Sequence, residues 1–241
     1  MQNSKLENLL LIDIETVPQH ENFDALSDDW KKLWEEKVQR SLPENTTAAS
    51  FYSQRAGVMA EFARIICISI GYFKKDDGVL QLRLKSFFGT DEKLLLTEFL
   101  KTLHVIESGN SNWSFTGHNI KEFDIPFICR RLLVNALPIP PYLDFQNMKP
   151  WETNLIDTFQ YWRFGDYKNF TSLKLLAAAL NVPSPKDDID GSMVADVYYR
   201  EKNLQRIVTY CQKDVITTGN IVLRFRSQPL LTDEQIIIVT T

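Results

Sequence analysis

Short apolar runs and longer helical repeats alternate along the chain. Leu9-Leu10-Leu11-Ile12-Asp13-Ile14-Glu15 is an apolar run of strand length, which predicts a central strand covered on both faces. Between Asp24 and Leu42, the residues Leu26, Trp30, Leu33, Trp34, Val38 and Leu42 recur at helical spacing. The Ser-rich stretch Ser50–Gln54 reads as a loop. Arg64–Phe73 and Val79–Phe88 read as two strands, with Lys74–Gly78 as the hairpin turn between them. Asp91–Ile106 is a helix with Thr90 as its cap, and Trp113–Thr116 is a short strand ending at Gly117. Asp124–Asn135 is a helix with Pro126 in its first turn, where proline is tolerated. Pro138–Trp151 is Pro-rich and irregular, and Leu155–Tyr161 fits a strand or a short helix. Ser172–Leu180 and Met193–Arg200 are helical, Leu204–Arg226 is the longest helix, and Ile236–Val239 fits an edge strand. This order implies an α/β domain, a mixed central β-sheet flanked by α-helices. The helical stretch 20–55 is longer than an ordinary connection and reads as an insertion, either a lid over the substrate or a decoration packed on the core.

Composition sharpens this picture in three ways. The chain has 241 residues, 44% of them hydrophobic, with no Pro/Gly/Ser-rich linker or internal repeat, so a single domain over 1–241 is expected. The formal net charge of −4 argues against a protein that coats nucleic acid by phosphate neutralisation alone. It leaves room for an enzyme that meets an anionic substrate through bound cations. The three cysteines, Cys67, Cys129 and Cys211, are odd in number and lack CxxC spacing. That disfavours disulfides and a zinc-cysteine site. With neither a leader-like apolar segment nor an apolar run long enough for a membrane span, the expected location is the cytoplasm.

The candidate chemistry lies in carboxylates. Asp13 and Glu15 are two residues apart on a strand and share a face, with Ile12 and Ile14 on the other. Burying two ionised carboxylates side by side costs several kcal/mol and adds their mutual repulsion. A divalent cation removes both penalties, and oxygen ligands suit Mg²⁺ or Mn²⁺. Taken alone, the pair also fits a strand that ends before Asp13 with both side chains solvated. Asp124 opens a helix after the loop Gly117-His118-Asn119-Ile120-Lys121-Glu122-Phe123, where an aspartate also serves as a cap. Tyr210 and Asp214 are four apart on the longest helix, beside the apolar stripe of Ile207, Cys211, Val215 and Val222. A core tyrosine next to a boundary aspartate would look the same.

In combination these segments resemble a known group. Ile12-Asp13-Ile14-Glu15-Thr16, then Gly117-His118-Asn119 through Phe123-Asp124-Ile125-Pro126, then Tyr210 to Asp214 with Val215, are similar to the motifs of the DEDDy 3′–5′ exonucleases, which have an RNase H-like fold. The nearest likeness is to predicted exonucleases related to the proofreading domain of B-family DNA polymerases. Lys186-Asp187-Asp188-Ile189-Asp190-Gly191-Ser192 is similar to a loop such relatives carry. The histidine subgroup would place His five residues before the last Asp, where this chain has Thr209, so the tyrosine subgroup is implied.

The resemblance implies catalytic residues Asp13, Glu15, Asp124, Tyr210 and Asp214, with the four carboxylates holding two divalent cations, Mg²⁺ or Mn²⁺. It implies hydrolysis of phosphodiesters from the 3′ end of nucleic acid, single-stranded DNA foremost, releasing nucleoside 5′-monophosphates. Tyr210 is assigned to orienting water, because an ordinary phenol of pKa ~10 is almost wholly protonated at neutral pH. Thr16, Asn119 and Phe123 fall where the terminal nucleotides would lie, and Lys121, Arg130 and Arg131 are candidates for phosphates. An exoribonuclease of the same superfamily and an inactive nucleic-acid-binding module remain open alternatives, because fold alone decides neither.

Overall fold

The computed structural model describes residues 4–146, 148–149, 152–183 and 189–239. Six strands form one mixed sheet in the order β5-β4-β1-β2-β3-β6. They are β1 (Leu9–Pro18), β2 (Ala63–Asp76), β3 (Val79–Phe88), β4 (Ser114–Gly117), β5 (Leu155–Asp157) and β6 (Ile236–Ile238). β1, β2 and β3 run antiparallel, while β4 and β5 continue the sheet parallel to β1. β6 lies parallel to β3 at the opposite edge, where an edge strand is expected from its β-branched residues. The helices are α1 (Asp28–Val38), α2 (Ala48–Arg55), α3 (Glu92–Gly109), α4 (Asp124–Val134), α5 (Thr158–Arg163), α6 (Leu173–Ala179), α7 (Val194–Tyr199) and α8 (Leu204–Phe225). Among the described residues, no helix is long and apolar enough to cross a membrane.

Two layers of helix cover the sheet, and the alternation of β1 assigns its residues to them. Leu10, Ile12 and Ile14 pack with Leu96, Phe99, Ile128 and Leu132 of α3 and α4. Leu9 and Leu11 pack with Val215 and Val222 of α8. By the two-residue period of a strand, Asp13 and Glu15 point to the α8 side. The β1–β2 register slips between Glu15 and Thr16, so Ile66 is an extra residue on β2. Ile66 and Cys67 both end up on the side of α7 and α8. A bulge of this kind commonly re-aims side chains beside a functional site.

Several local expectations are corrected. Ser50–Gln54 is helical, inside α2. Thr47 caps the helix by accepting from the Ser50 amide, and the Ser50 hydroxyl reciprocates, so these serine-rich positions start a helix where the sequence suggests a loop. Phe51 and Tyr52 then pack on Trp34 of α1, whose ring lies 5.1 Å from those of Tyr52 and Phe62. α1 itself starts at Asp28, four residues later than the apolar spacing suggests. The β2–β3 turn is only Asp77-Gly78, both with positive φ (46° and 83°), which suits a tight two-residue hairpin. Asp91, rather than Thr90, caps α3 by accepting from the Leu94 amide at 3.0 Å. Leu155–Tyr161 is both alternatives in turn, β5 followed directly by α5.

Candidate active site

The parallel strand β4 pairs with β1 only as far as Leu11–Thr116, so beyond that point one edge of β1 has no strand partner. Gly117 makes the exit possible. A Cβ there would lie 2.8 Å from the Ile12 carbonyl oxygen and 2.1 Å from the Ile120 side chain, closer than real Cβ contacts allow. The loop turns through Asn119 in the left-handed region (φ 63°) and delivers Asp124 as the first residue of α4. Asp124 is buried and accepts the Ile14 amide at 3.2 Å. It therefore satisfies the strand amide that β4 no longer reaches, a role beyond that of an ordinary helix cap.

From the α8 side come Asp214 and Tyr210, one helical turn apart, with the Tyr210 hydroxyl donating to the Asp214 carboxylate. The structure thus brings Asp13, Glu15, Asp124, Asp214 and Tyr210 into one electrostatic unit. Burial, then the charges of Asp214 and Asp124, push Asp13 well above the usual carboxylate range. Burial and the neighbouring Asp13 do the same to Glu15. Asp124 is pushed up to about 7, mainly by burial, against the stabilising backbone hydrogen bonds it accepts. Tyr210 is raised further above its ordinary value by burial and by Asp214.

Asp13 Oδ2 is buried without a hydrogen-bond partner. One ligand atom each of Asp13, Glu15 and Cys211 lies within 4.8 Å of the others. The Cys211 thiol instead donates to the Asp13 carbonyl oxygen at 3.4 Å, and burial raises its pKa, so it stays a neutral thiol. The oxygen donors that remain fit a hard divalent cation, and an orphaned buried carboxylate oxygen is the atom such an ion would satisfy.

A cleft of about 630 Å³ opens on this cluster. Glu15, Thr16 and Phe123 line it, with Ser53, Gly57 and Val58 from the end of α2 and the turn after it, and Ala195 and Tyr199 from α7. Glu21, Ser53 and Gln54 of the stretch 20–55 thus line the cleft together with the turn after α2. Thr16 donates its hydroxyl to the Gly57 carbonyl at 2.6 Å, which ties that turn to β1. Asn119 Oδ1 is buried and unpartnered. Phe123 packs on Phe127 at 5.3 Å while facing the cleft, so its core and cleft roles coexist.

Two features were not legible as site residues in the sequence. Asp157, buried at the end of β5, accepts the amides of Asn119 (3.0 Å) and Lys121 (3.1 Å) as well as those of Phe159 and Gln160. It holds the motif loop against the start of α5. Its only sequence signal is an aspartate at a strand-to-helix junction. Cys67 and Cys211 meet behind Asp13, far apart in sequence but in one cluster. Among the phosphate candidates, Arg131 is corrected: it is 3% exposed and bound to Glu92 through Nε (2.9 Å) and Nη2 (2.6 Å) and to the Ala60 carbonyl (2.8 Å). Of the loop Lys186–Ser192, positions 186–188 lie outside the described residues, while Gly191 and Ser192 line the cleft.

Comparison with known proteins bears on this arrangement. The family model for predicted 3′–5′ exonucleases related to the exonuclease domain of PolB matches residues 58–235. No curated protein sequence matches the chain. Among solved structures, the family B DNA polymerase from the hyperthermophilic archaeon Pyrobaculum calidifontis is similar over 88% of this chain at 16% identity, with a TM-score of 0.51. The matched region spans 23% of that polymerase. The shared architecture is the RNase H-like α/β fold expected from the sequence.

Proposed function

We propose a reaction and a substrate for this chain, which belongs to the family of predicted 3′–5′ exonucleases related to the exonuclease domain of PolB. The reaction is metal-dependent hydrolysis of the terminal phosphodiester at the 3′ end of single-stranded DNA, releasing a nucleoside 5′-monophosphate. The observation that carries it is the orphaned, buried Asp13 Oδ2 beside Glu15, in a cluster where burial and neighbouring carboxylates raise Asp13, Glu15 and Asp124. Such a cluster is costly as an empty anionic site and is compensated by cations.

Asp13, Glu15 and Asp214 would hold one divalent cation, and Asp13 with Asp124 a second. Bound there, Mg²⁺ or Mn²⁺ activates water and neutralises charge on the attacking and leaving oxygens. Tyr210 orients the attacking water through its hydroxyl; its raised pKa and its bond to Asp214 suit a hydrogen-bonding role rather than proton abstraction. Attack at phosphorus breaks the bond to the 3′ oxygen of the penultimate nucleotide, which leaves as the new 3′-hydroxyl. The unpartnered Asn119 Oδ1 and the cleft face of Phe123 contact the last nucleotides, and the backbone at Thr16 meets the terminal 3′-hydroxyl. A terminal nucleotide has to leave a duplex to enter the cleft that Glu15 lines, which favours single strands. The family's relation to a DNA polymerase domain favours DNA over RNA.

The test is digestion of 3′- and 5′-labelled DNA and RNA oligonucleotides with Mn²⁺, with Asp13→Ala as control. Stepwise release of mononucleotides from 3′-labelled DNA, absent in the variant, is expected. Faster digestion of RNA moves the substrate to RNA, and no digestion of any oligonucleotide makes the chain a binding module.

A further inference from the structure

The segment between α5 and α6 exposes three large aromatic side chains at three-residue intervals: Phe164 (85% exposed), Tyr167 (78%) and Phe170 (64%). Phe164 also sits in the left-handed region (φ 46°), directly before Gly165 (φ 90°). Glycine or asparagine would occupy that helix end at lower cost, and an exposed phenylalanine there gains nothing from burial. The segment carries its own local hydrogen bonds. The Asp166 carboxylate accepts from the Lys168 amide at 2.9 Å and from the Asn169 side chain at 3.3 Å. All three rings nevertheless leave most of their surface open to solvent.

These rings are anchored to the loop that carries the candidate site. His118, next to Asn119, bonds the Thr158 hydroxyl (3.0 Å) through Nδ1 and the Thr171 carbonyl (2.9 Å) through Nε2, one residue beyond Phe170. His118 meets Phe159 in a tilted contact at 5.7 Å, and Phe159 meets Phe170 edge-on at 4.9 Å. The Arg163 guanidinium lies 3.9 Å above the Phe159 ring and 5.5 Å from that of Tyr167, and it pairs with Glu122 of the motif loop at 3.3 Å. A connected set of rings and cations therefore runs from the motif loop to the surface. The stretch 163–174 carries Arg163, Lys168 and Lys174 against one acid, Asp166, in a chain whose formal net charge is −4.

Exposed aromatics interleaved with cations are what a single-stranded nucleic acid uses, because every base offers a face to stack and every phosphate a charge to neutralise. We infer that Phe164, Tyr167 and Phe170 form a stacking platform for the bases upstream of the scissile 3′ terminus, which lets the enzyme hold a strand while its end occupies the cleft. This rests on the exonuclease reading for its substrate, but binding and cleavage separate experimentally.

The experiment compares the wild-type protein with the triple variant Phe164→Ala/Tyr167→Ala/Phe170→Ala, whose thermal midpoint is checked first. Fluorescence anisotropy in Ca²⁺ measures binding of single-stranded DNA of about 4 and about 12 nucleotides. A third probe is the longer strand with abasic sites upstream of its 3′ end. The variant should lose at least about tenfold affinity for the longer strand and little for the shorter one. Abasic sites should weaken wild-type binding but leave the variant's unchanged, the non-additivity expected of groups in direct contact. Equal affinity of both proteins for the longer strand, or an equal abasic penalty in both, overturns the platform and leaves the rings to a protein partner. If this binding pattern holds while no oligonucleotide is digested, the platform stands and hydrolysis is what fails.

Discussion

The carboxylate of Asp124 accepts the backbone amide of Ile14 at 3.2 Å, across 110 residues of sequence. One side chain thereby takes the β1 amide that β4 no longer reaches and places the first turn of α4 against the strand that carries Asp13 and Glu15.

Substitutions at Asp124 should separate these two roles. Asp124→Asn keeps an oxygen for the Ile14 amide and removes a buried charge, so in EDTA it should be at least as stable as the wild type. Asp124→Ala leaves that amide unsatisfied and should cost about 1–3 kcal/mol. Both should lose most Mn²⁺-dependent activity. Equal destabilisation by the two substitutions, read by chemical denaturation, would show that the amide contact contributes nothing.

The same comparison has a pH dependence. Asp124 is pushed up to about 7 in the folded chain, above its ordinary value of about 4. A raised carboxylate means that the native state binds more protons than the unfolded one in that window, so stability falls as pH rises through it. The stability gap between Asp124→Asn and wild type, measured in EDTA, should therefore widen in favour of the variant from about pH 4 to about pH 8. Adding Mn²⁺ at the higher pH should close it, because the cation binds and stabilises the ionised carboxylate. A gap that is flat with pH would contradict the raised value.

Tyr210 and Asp13 should differ in kind. Tyr210→Phe removes a hydrogen bond to a charged group, worth about 1.5–3 kcal/mol, and should reduce kcat by about ten- to a hundredfold. Asp13→Ala removes a carboxylate assigned to both cations and should leave less than about a thousandth of the activity. Equal and complete loss in both variants would assign Tyr210 to an essential proton transfer instead.

Arg131 should matter to stability and not to the substrate. It is buried, paired with Glu92 through two nitrogens, and Glu92 also accepts the Ile65 amide at 2.7 Å. Arg131→Ala leaves a buried carboxylate uncompensated and should cost about 3–5 kcal/mol. Where the variant remains folded, its KM for an oligonucleotide should match the wild type. A raised KM with unchanged stability would return Arg131 to the surface role suggested by sequence.

Much of the site could be read from local pattern. The placement of Asp13 and Glu15 on one face of a strand, and of Tyr210 and Asp214 on one face of a helix, follows from periods of 2 and 3.6, which covalent geometry imposes on any chain. α3, α4, α8 and the β2–β3 hairpin announced themselves in the same way. The elements missed were those stabilised from a distance. Ser50–Gln54 looks like a loop until Phe51 and Tyr52 are buried on Trp34 of the preceding helix. Arg131 looks like a surface cation until Glu92 and the Ala60 carbonyl surround it. Asp157 looks like one acid among many until its oxygens meet four amides from the motif loop and α5. Local periodicity tells which way a side chain points along its own element. What it meets there, and whether its charge or its hydrogen bonds are satisfied, depends on residues brought close by folding alone, and no spacing within one segment encodes that.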